Sequence, residues 1–404
     1  MTAWLKWESY LIDVPKWILL PALILFLTPL YGQQKDLIGY FPSWKWQKNR
    51  ERLNPHLIPY EKLTVVTYAF FYPLASGEIV GMDPVADNYL LKGEIDSLSG
   101  RLKPNSSMID LAHRRGAKMV LSIGGWENSN NFSQVAADPQ KRAHFARGCV
   151  QHINDYGFDG IDVDWEFPGY VRHKGTPQDK QNFTLLLQTV RDSLLALGKR
   201  TGKYYLLSAS LPAAASHLPD IEVEKITAIL DRLNIMTYDL FGPWGKISNH
   251  NSALFGPAQG DSARCLDGAF KLYHNEHHVP AEKINLGVAF YGHAYANCTE
   301  IYSAHGGADT EIFSADDGVD YARIAERFDL FKRLWDSKAH APYLVSESRK
   351  ILVSFDDEES VARKADYVKE KNAGGLIIWT LMGDHLKDGR TPLLDAIYKR
   401  FTSR

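Results

Sequence analysis

Cysteine is scarce in this chain: three of its 404 residues, Cys149, Cys265 and Cys298. They are widely spaced, odd in number and form no CxxC pair or zinc-ligand spacing, so neither a disulfide framework nor a metal site is expected. An excess of charge of one sign is also lacking. The formal net charge is -2, which leaves no broad basic field to hold a phosphate backbone and sets nucleic acid aside as a partner. Long apolar runs are few. The run from Trp17 to Leu30 is interrupted by Pro21, Thr28 and Pro29 and falls short of the roughly 20 apolar residues that a spanning helix requires. With Lys6 and Lys16 before it and Gly32-Gln33-Gln34 after it, it has the pattern of a secretion signal. Residues 1–32 are therefore expected to direct export to the medium, the periplasm or the cell surface, with membrane attachment only if the segment stays uncleaved.

Low-complexity stretches and Ser/Gly linkers are absent after Gln34, and one large domain over residues 33–404 is expected. The 45% hydrophobic and 23% charged fractions suffice for a sizeable core. Aromatics are abundant. They make up 12% of the chain, with ten Trp and twenty Tyr, which prompts a search for stacking surfaces.

Short β-branched or apolar runs begin near Leu37, Val65, Met119, Gly160, Leu206, Asn234, Ile284 and Gly375. Amphipathic stretches separate them, such as Asp138 to Asp155, Gln178 to Leu197 and Glu358 to Lys371. The last begins with Asp356-Asp357-Glu358-Glu359 and ends before Gly374-Gly375, following helix-dipole and C-terminal glycine preferences. Eight strand-helix units predict an α/β fold, a closed (β/α)8 TIM barrel. An open doubly wound sheet is the alternative, and no GxGxxG turn follows the first run near Tyr40 to support it. The gap between the seventh and eighth runs exceeds one helix. A small α+β subdomain is expected there, inserted between strand 7 and helix 7 over residues 291–355, because loops of that length seldom lack structure of their own. Barrel active sites lie at the C-terminal ends of the strands, so the subdomain would wall one side of a cleft.

The segment Phe158 to Gly169 reads FDGIDVDWEFPG. On a strand, side chains alternate, so Asp162, Asp164 and Glu166 share one face and Ile161, Val163 and Trp165 the other. The apolar set faces the helices. The acids then converge at the barrel mouth, spaced about 7 Å apart along the backbone. Repulsion and burial raise the proton affinity of at least one member, which is how an acid stays protonated near neutral pH. A solvated acidic loop would not alternate so strictly, and neither a nearby His nor EF-hand spacing supports a metal.

Asp159, Asp162, Asp164 and Glu166 match the signature DxxDxDxE in full, and here the chain resembles glycoside hydrolase family 18, the chitinases. SIGGW at Ser122 to Trp126, MTYD at Met236 to Asp239, GYFPSW at Gly39 to Trp44, YAF at Tyr68 to Phe70, FYGH at Phe290 to His293 and GGLIIWTLMGD at Gly374 to Asp384 are similar to the family's other strand ends, in the same order. The resemblance implies hydrolysis of β-1,4 links between N-acetylglucosamine units, with chitin or chito-oligosaccharides as partners. It implies no cofactor and no obligatory protein partner.

The substrate-assisted families are exceptions to the paired-carboxylate rule. The resemblance makes the substrate's acetamido oxygen the nucleophile and Glu166 the general acid and base. Asp164 would accept from the acetamido N–H, Asp162 would share its proton, and Tyr238 would donate to the acetamido oxygen. Asp159, out of phase with the row, is assigned a structural role. Trp379 matches the floor of the cleavage subsite, Trp126 and Trp244 platforms on the leaving-group side, and Trp44 an extension of the opposite side. Asp239, Met236, Tyr40, Tyr291 and Phe70 complete the substrate-binding set. His293 stands where many relatives carry Arg, and near the acids it is expected to titrate and shift the pH optimum. Two other functions compete: a chitin-binding lectin, which typically lacks the acid, and an endo-β-N-acetylglucosaminidase acting on N-glycans, which typically lacks the long insertion.

Overall fold

Eight strands pair in parallel around a closed circuit: Asp36–Pro42, Val65–Pro73, Lys118–Gly124, Gly160–Asp164, Leu206–Pro212, Arg232–Met236, Ile284–Ala289 and Gly375–Trp379. Closure comes from the first strand, where Tyr40 stands beside Thr67 of the second and Trp379 of the last. The computed structural model describes residues 34–96, 98–313 and 318–403, so the expected signal, residues 1–32, lies outside the described residues.

Alternation along these strands divides the apolar residues into two layers. Leu37, Phe41, Ile161, Val163 and Trp165 join the large core between strands and helices, while Ile38, Tyr40, Val65, Val120 and Ile377 form a separate cluster inside the barrel. The helices carry readable ends. Asp138 caps Pro139–Tyr156 by accepting from the Gln140 and Lys141 amides, proline opens it, and left-handed Gly157 (φ 92°) closes it. The longest, Asp179–Thr201, buries Phe183, Leu186, Leu187, Val190, Leu194 and Leu197 on one face, each contributing about 1.5–3 kcal/mol as an upper estimate. One helix ends where expected, but its glycine has another role. Glu358–Glu370 stops at Lys371, and Gly375 opens the last barrel strand instead, where a Cβ would meet the Asp36 carbonyl oxygen at 2.0 Å. The glycine there answers a strand-to-strand approach.

After Ala289 the chain builds a second sheet before it returns to the barrel. Its five antiparallel strands stand in the order Val319–Asp320, Tyr291–Ala296, Ile351–Ser354, Ala341–Ser346 and Lys332–Asp336, with the short helix Tyr321–Ala325 alongside. Because only Phe290 separates Tyr291–Ala296 from the seventh barrel strand, Tyr291 and His293 are carried at the barrel mouth.

Where the chain returns to the barrel, a buried ion pair fixes the start of the helix Glu358–Glu370. Lys364 Nζ donates to both Asp356 oxygens (2.7 and 2.6 Å) and to the Ser252 hydroxyl (2.8 Å), with the two charged side chains 0% and 1% exposed. Asp356 also receives the Ser360 hydroxyl and the Ala289 amide, at the end of the seventh barrel strand. Removing one partner leaves an uncompensated buried charge. Lys364→Met is expected to cost about 3–5 kcal/mol of unfolding free energy in urea titration, and a cost below about 1 kcal/mol would contradict this reading.

Candidate active site

Asp162, fully buried on the fourth barrel strand, is the inner end of the acidic row. Five donors reach its carboxylate from four other strands: Tyr40 (3.1 Å), Ser122 (2.8 Å), Ser208 (2.6 Å), Ser210 (3.3 Å) and Asn234 (3.2 Å). Burial raises its pKa, and the hydroxyl hydrogen bonds pull it back. Asp164 has no such shell. Burial first, then the charges of Glu166 and Asp162, hold its carboxyl well above the usual range, and its buried Oδ1 has no hydrogen-bond partner among the described residues.

Glu166 lies just past the strand end. Burial, and next the Asp239 charge, push its carboxyl up to about 8, against a pull from the Trp126 amide. Its main chain is fixed on both sides: the amide donates to Ser129 Oγ (2.9 Å), and the carbonyl accepts from His173. Asp159 sits at the opposite end of the strand, where it accepts from the Met119 amide (2.8 Å) and pairs with His113 (2.7 Å).

Tyr238 enters from the loop after the sixth strand and lies against Gly287, where a Cβ would meet its ring at 2.7 Å. Burial and the Asp164 and Glu166 charges raise its pKa well above 10.0, so its hydroxyl stays a donor. The next residue, Asp239, has a left-handed backbone (φ 51°), and its amide donates to Asn251. Its Oδ1 accepts from Tyr291 and His293, both at 2.7 Å. His293 therefore touches Asp239.

A cleft of about 790 Å³ opens above these groups, within the range of small-molecule sites. Twelve expected residues line it: Tyr40, Trp44, Phe70, Trp126, Asp164, Glu166, Met236, Tyr238, Asp239, Trp244, His293 and Trp379. Asp162 and Tyr291 lie behind this lining. Trp44 stacks on Phe70 (5.4 Å, 10°) and Phe70 on Trp379 (5.7 Å, 28°), making one aromatic wall. Trp126 with Tyr170 (5.6 Å) makes a second, and Tyr170 continues to His217 (5.9 Å). Trp126 and Trp244 are 45% and 64% exposed, so core packing does not account for them.

Sequence reasoning missed Phe167, Tyr170, Arg172, His217 and Arg264, which also line the cleft. They sit in the connections after barrel strands, Arg172 and His217 on short 3₁₀ turns, where no periodicity marks which side chains turn inward. A smaller space of about 120 Å³ is lined by Asp36, Lys118 and Arg232, and none of Asp162, Asp164 or Glu166 lines it. Among the described residues, no group of three or more His, Cys, Asp or Glu is placed to hold a metal ion.

The family model of the glycosyl hydrolases family 18 matches residues 36–384. The chain is 33% identical to chitinase A1 of Niallia circulans, over 93% of this chain and 59% of that protein, and so spans less than two thirds of that relative's length. It is 32% identical to chitinase B of Serratia marcescens, over 71% of this chain and 68% of that one. Among solved structures, a chitinase from Bacillus thuringiensis superposes with a TM-score of 0.81 at 31% identity, covering 91% of this chain and 70% of the other. The chain belongs to the glycosyl hydrolases family 18.

Proposed function

We propose that this chain is a chitinase that hydrolyses β-1,4-linked N-acetylglucosamine polymers, with Glu166 as the general acid and base and the substrate's acetamide as the nucleophile. Relatives named chitinase at 32–33% identity support the substrate class. One observation carries the mechanism: Asp164 Oδ1 is a buried acceptor without a partner among the described residues, beside an outermost acid pushed up to about 8. Leaving an acceptor so costs about 1–3 kcal/mol. An acetamido N–H donates to that oxygen, and its carbonyl oxygen then faces the anomeric carbon.

Glu166 protonates the leaving oxygen as the carbonyl attacks. The oxazolinium ion that forms is offset by Asp164, which shares a proton with Asp162, while Tyr238 donates to the acetamido oxygen. Water deprotonated by Glu166 opens the ring, and configuration is retained. Trp379 underlies the sugar at the cut, and Trp126 and Trp244 carry the leaving-group side. Export through residues 1–32 belongs to the same proposal.

A pH dependence follows from the sign of the shift. Cleavage needs the protonated form of Glu166, so kcat/KM falls as pH rises past about 8. The Asp239 charge is the second cause of that shift. Asp239→Asn therefore moves the alkaline limb toward lower pH, which a pH-rate profile reads directly; an unmoved limb contradicts the assignment.

The five-stranded insertion contributes His293 to the cleft lining, and its presence favours chitin over the N-glycan alternative. Product analysis on chitin oligomers and on an N-glycan separates the two. Cleavage of the oligomers, lost in Glu166→Gln, supports the chitinase reading; cleavage of the N-glycan alone overturns it.

A further inference from the structure

His173 belongs to none of the strand-end motifs, yet it holds the main chain of the candidate acid. It ends the short 3₁₀ helix Val171–His173, in the connection after the fourth barrel strand, and is only 9% exposed. Its Nδ1 is hydrogen-bonded to the Glu166 carbonyl. A carbonyl oxygen only accepts, so Nδ1 carries the hydrogen and donates it. The same ring meets Trp126 edge to face (4.6 Å, 71°) and Tyr170 (5.2 Å, 85°). Trp126 and Tyr170 form the second aromatic wall of the cleft.

On the other side of Glu166, the amide is held by Ser129, whose hydroxyl passes its own hydrogen to the Gly125 carbonyl (3.0 Å). Both peptide groups of the acid are thus fixed by side chains from neighbouring loops. His173 also touches a candidate sugar platform, Trp126.

We propose that His173 is a positioning residue, an inference that rests on the reading of Glu166 as the acid. Through Nδ1 it fixes the Glu166 main chain, and through its ring it braces Trp126, so one side chain sets both the proton donor and the surface that seats the leaving sugar. A small misplacement of a reacting group is costly in rate, which gives such a brace its leverage.

Two substitutions separate the two contacts. Phenylalanine keeps a ring against Trp126 and lacks the donor; asparagine sets an amide N–H close to the Nδ1 position and lacks the ring. His173→Phe is expected to lower kcat on a chito-oligosaccharide by roughly tenfold to a hundredfold with little change in KM. His173→Asn is expected to restore most of kcat and to raise KM. Equal kcat losses in both variants, or an unaltered kcat in His173→Phe, would overturn the proposal. If His173→Phe does not fold, as judged by circular dichroism, His173→Asn alone decides: low kcat with unchanged KM sinks the idea. Glu166→Gln assayed alongside keeps the two readings apart. A fully active Glu166→Gln removes the acid itself, whereas an inactive one beside an unaltered His173→Phe removes only the role of His173.

Discussion

Glu166→Gln is expected to lower kcat on a chito-oligosaccharide by about 10²- to 10⁴-fold, the range over which a positioned general acid contributes. The amide keeps the shape of the side chain and has no proton to give. Loss of activity through misfolding is separable, because this substitution is expected to stabilise the protein. The Glu166 carboxyl is raised from 4.5 to about 8 in the folded state, so between those pH values the folded form binds more protons than the unfolded one. Wild-type stability therefore declines as pH rises through that window, and the Gln variant escapes the decline. Thermal unfolding above pH 8 should find the variant at a higher midpoint than the wild type. An inactive variant with a lowered midpoint would point to a structural role.

Asp164→Asn is the second large effect, a fall in kcat of roughly 10²- to 10³-fold, by analogy with the loss of a group aimed at developing charge. The amide can still accept from the acetamido N–H but no longer offsets the positive oxazolinium. The loss should therefore appear in kcat more than in KM. A variant that raised KM alone would show that Asp164 only binds substrate.

The barrel was legible because its strands are buried on both faces and announce themselves as short apolar runs, each of the eight close to its expected start. The acidic row was legible for a related reason. A period of two residues puts Asp162 and Asp164 on one face of the strand, and Glu166, just past its end, continues the same spacing. What surrounds the row was not legible. The hydroxyls and amide that hold Asp162 come from Tyr40, Ser122, Ser208, Ser210 and Asn234, far apart in the chain. Barrel closure alone brings them together. His173 was missed because loop geometry, and no pattern of residue types, turns its Nδ1 toward Glu166. The pairing of Lys364 with Asp356 was hidden by its position in an acidic helix start that reads as a solvated surface. Cleft-lining Arg264 was missed similarly; it lies over the Phe241 ring at 4.6 Å, a cation–π contact that spacing does not encode.

The mechanism turns on whether the attacking atom is the sugar's own acetamide oxygen, with one protein carboxyl giving and later taking the proton. Proton NMR of a chito-oligosaccharide digest, recorded within the first minutes, reads the anomeric form of the new reducing end before mutarotation. Two successive inversions release the β-anomer first, which is the predicted outcome. An initial excess of the α-anomer would mean that water attacks directly, and would contradict the account.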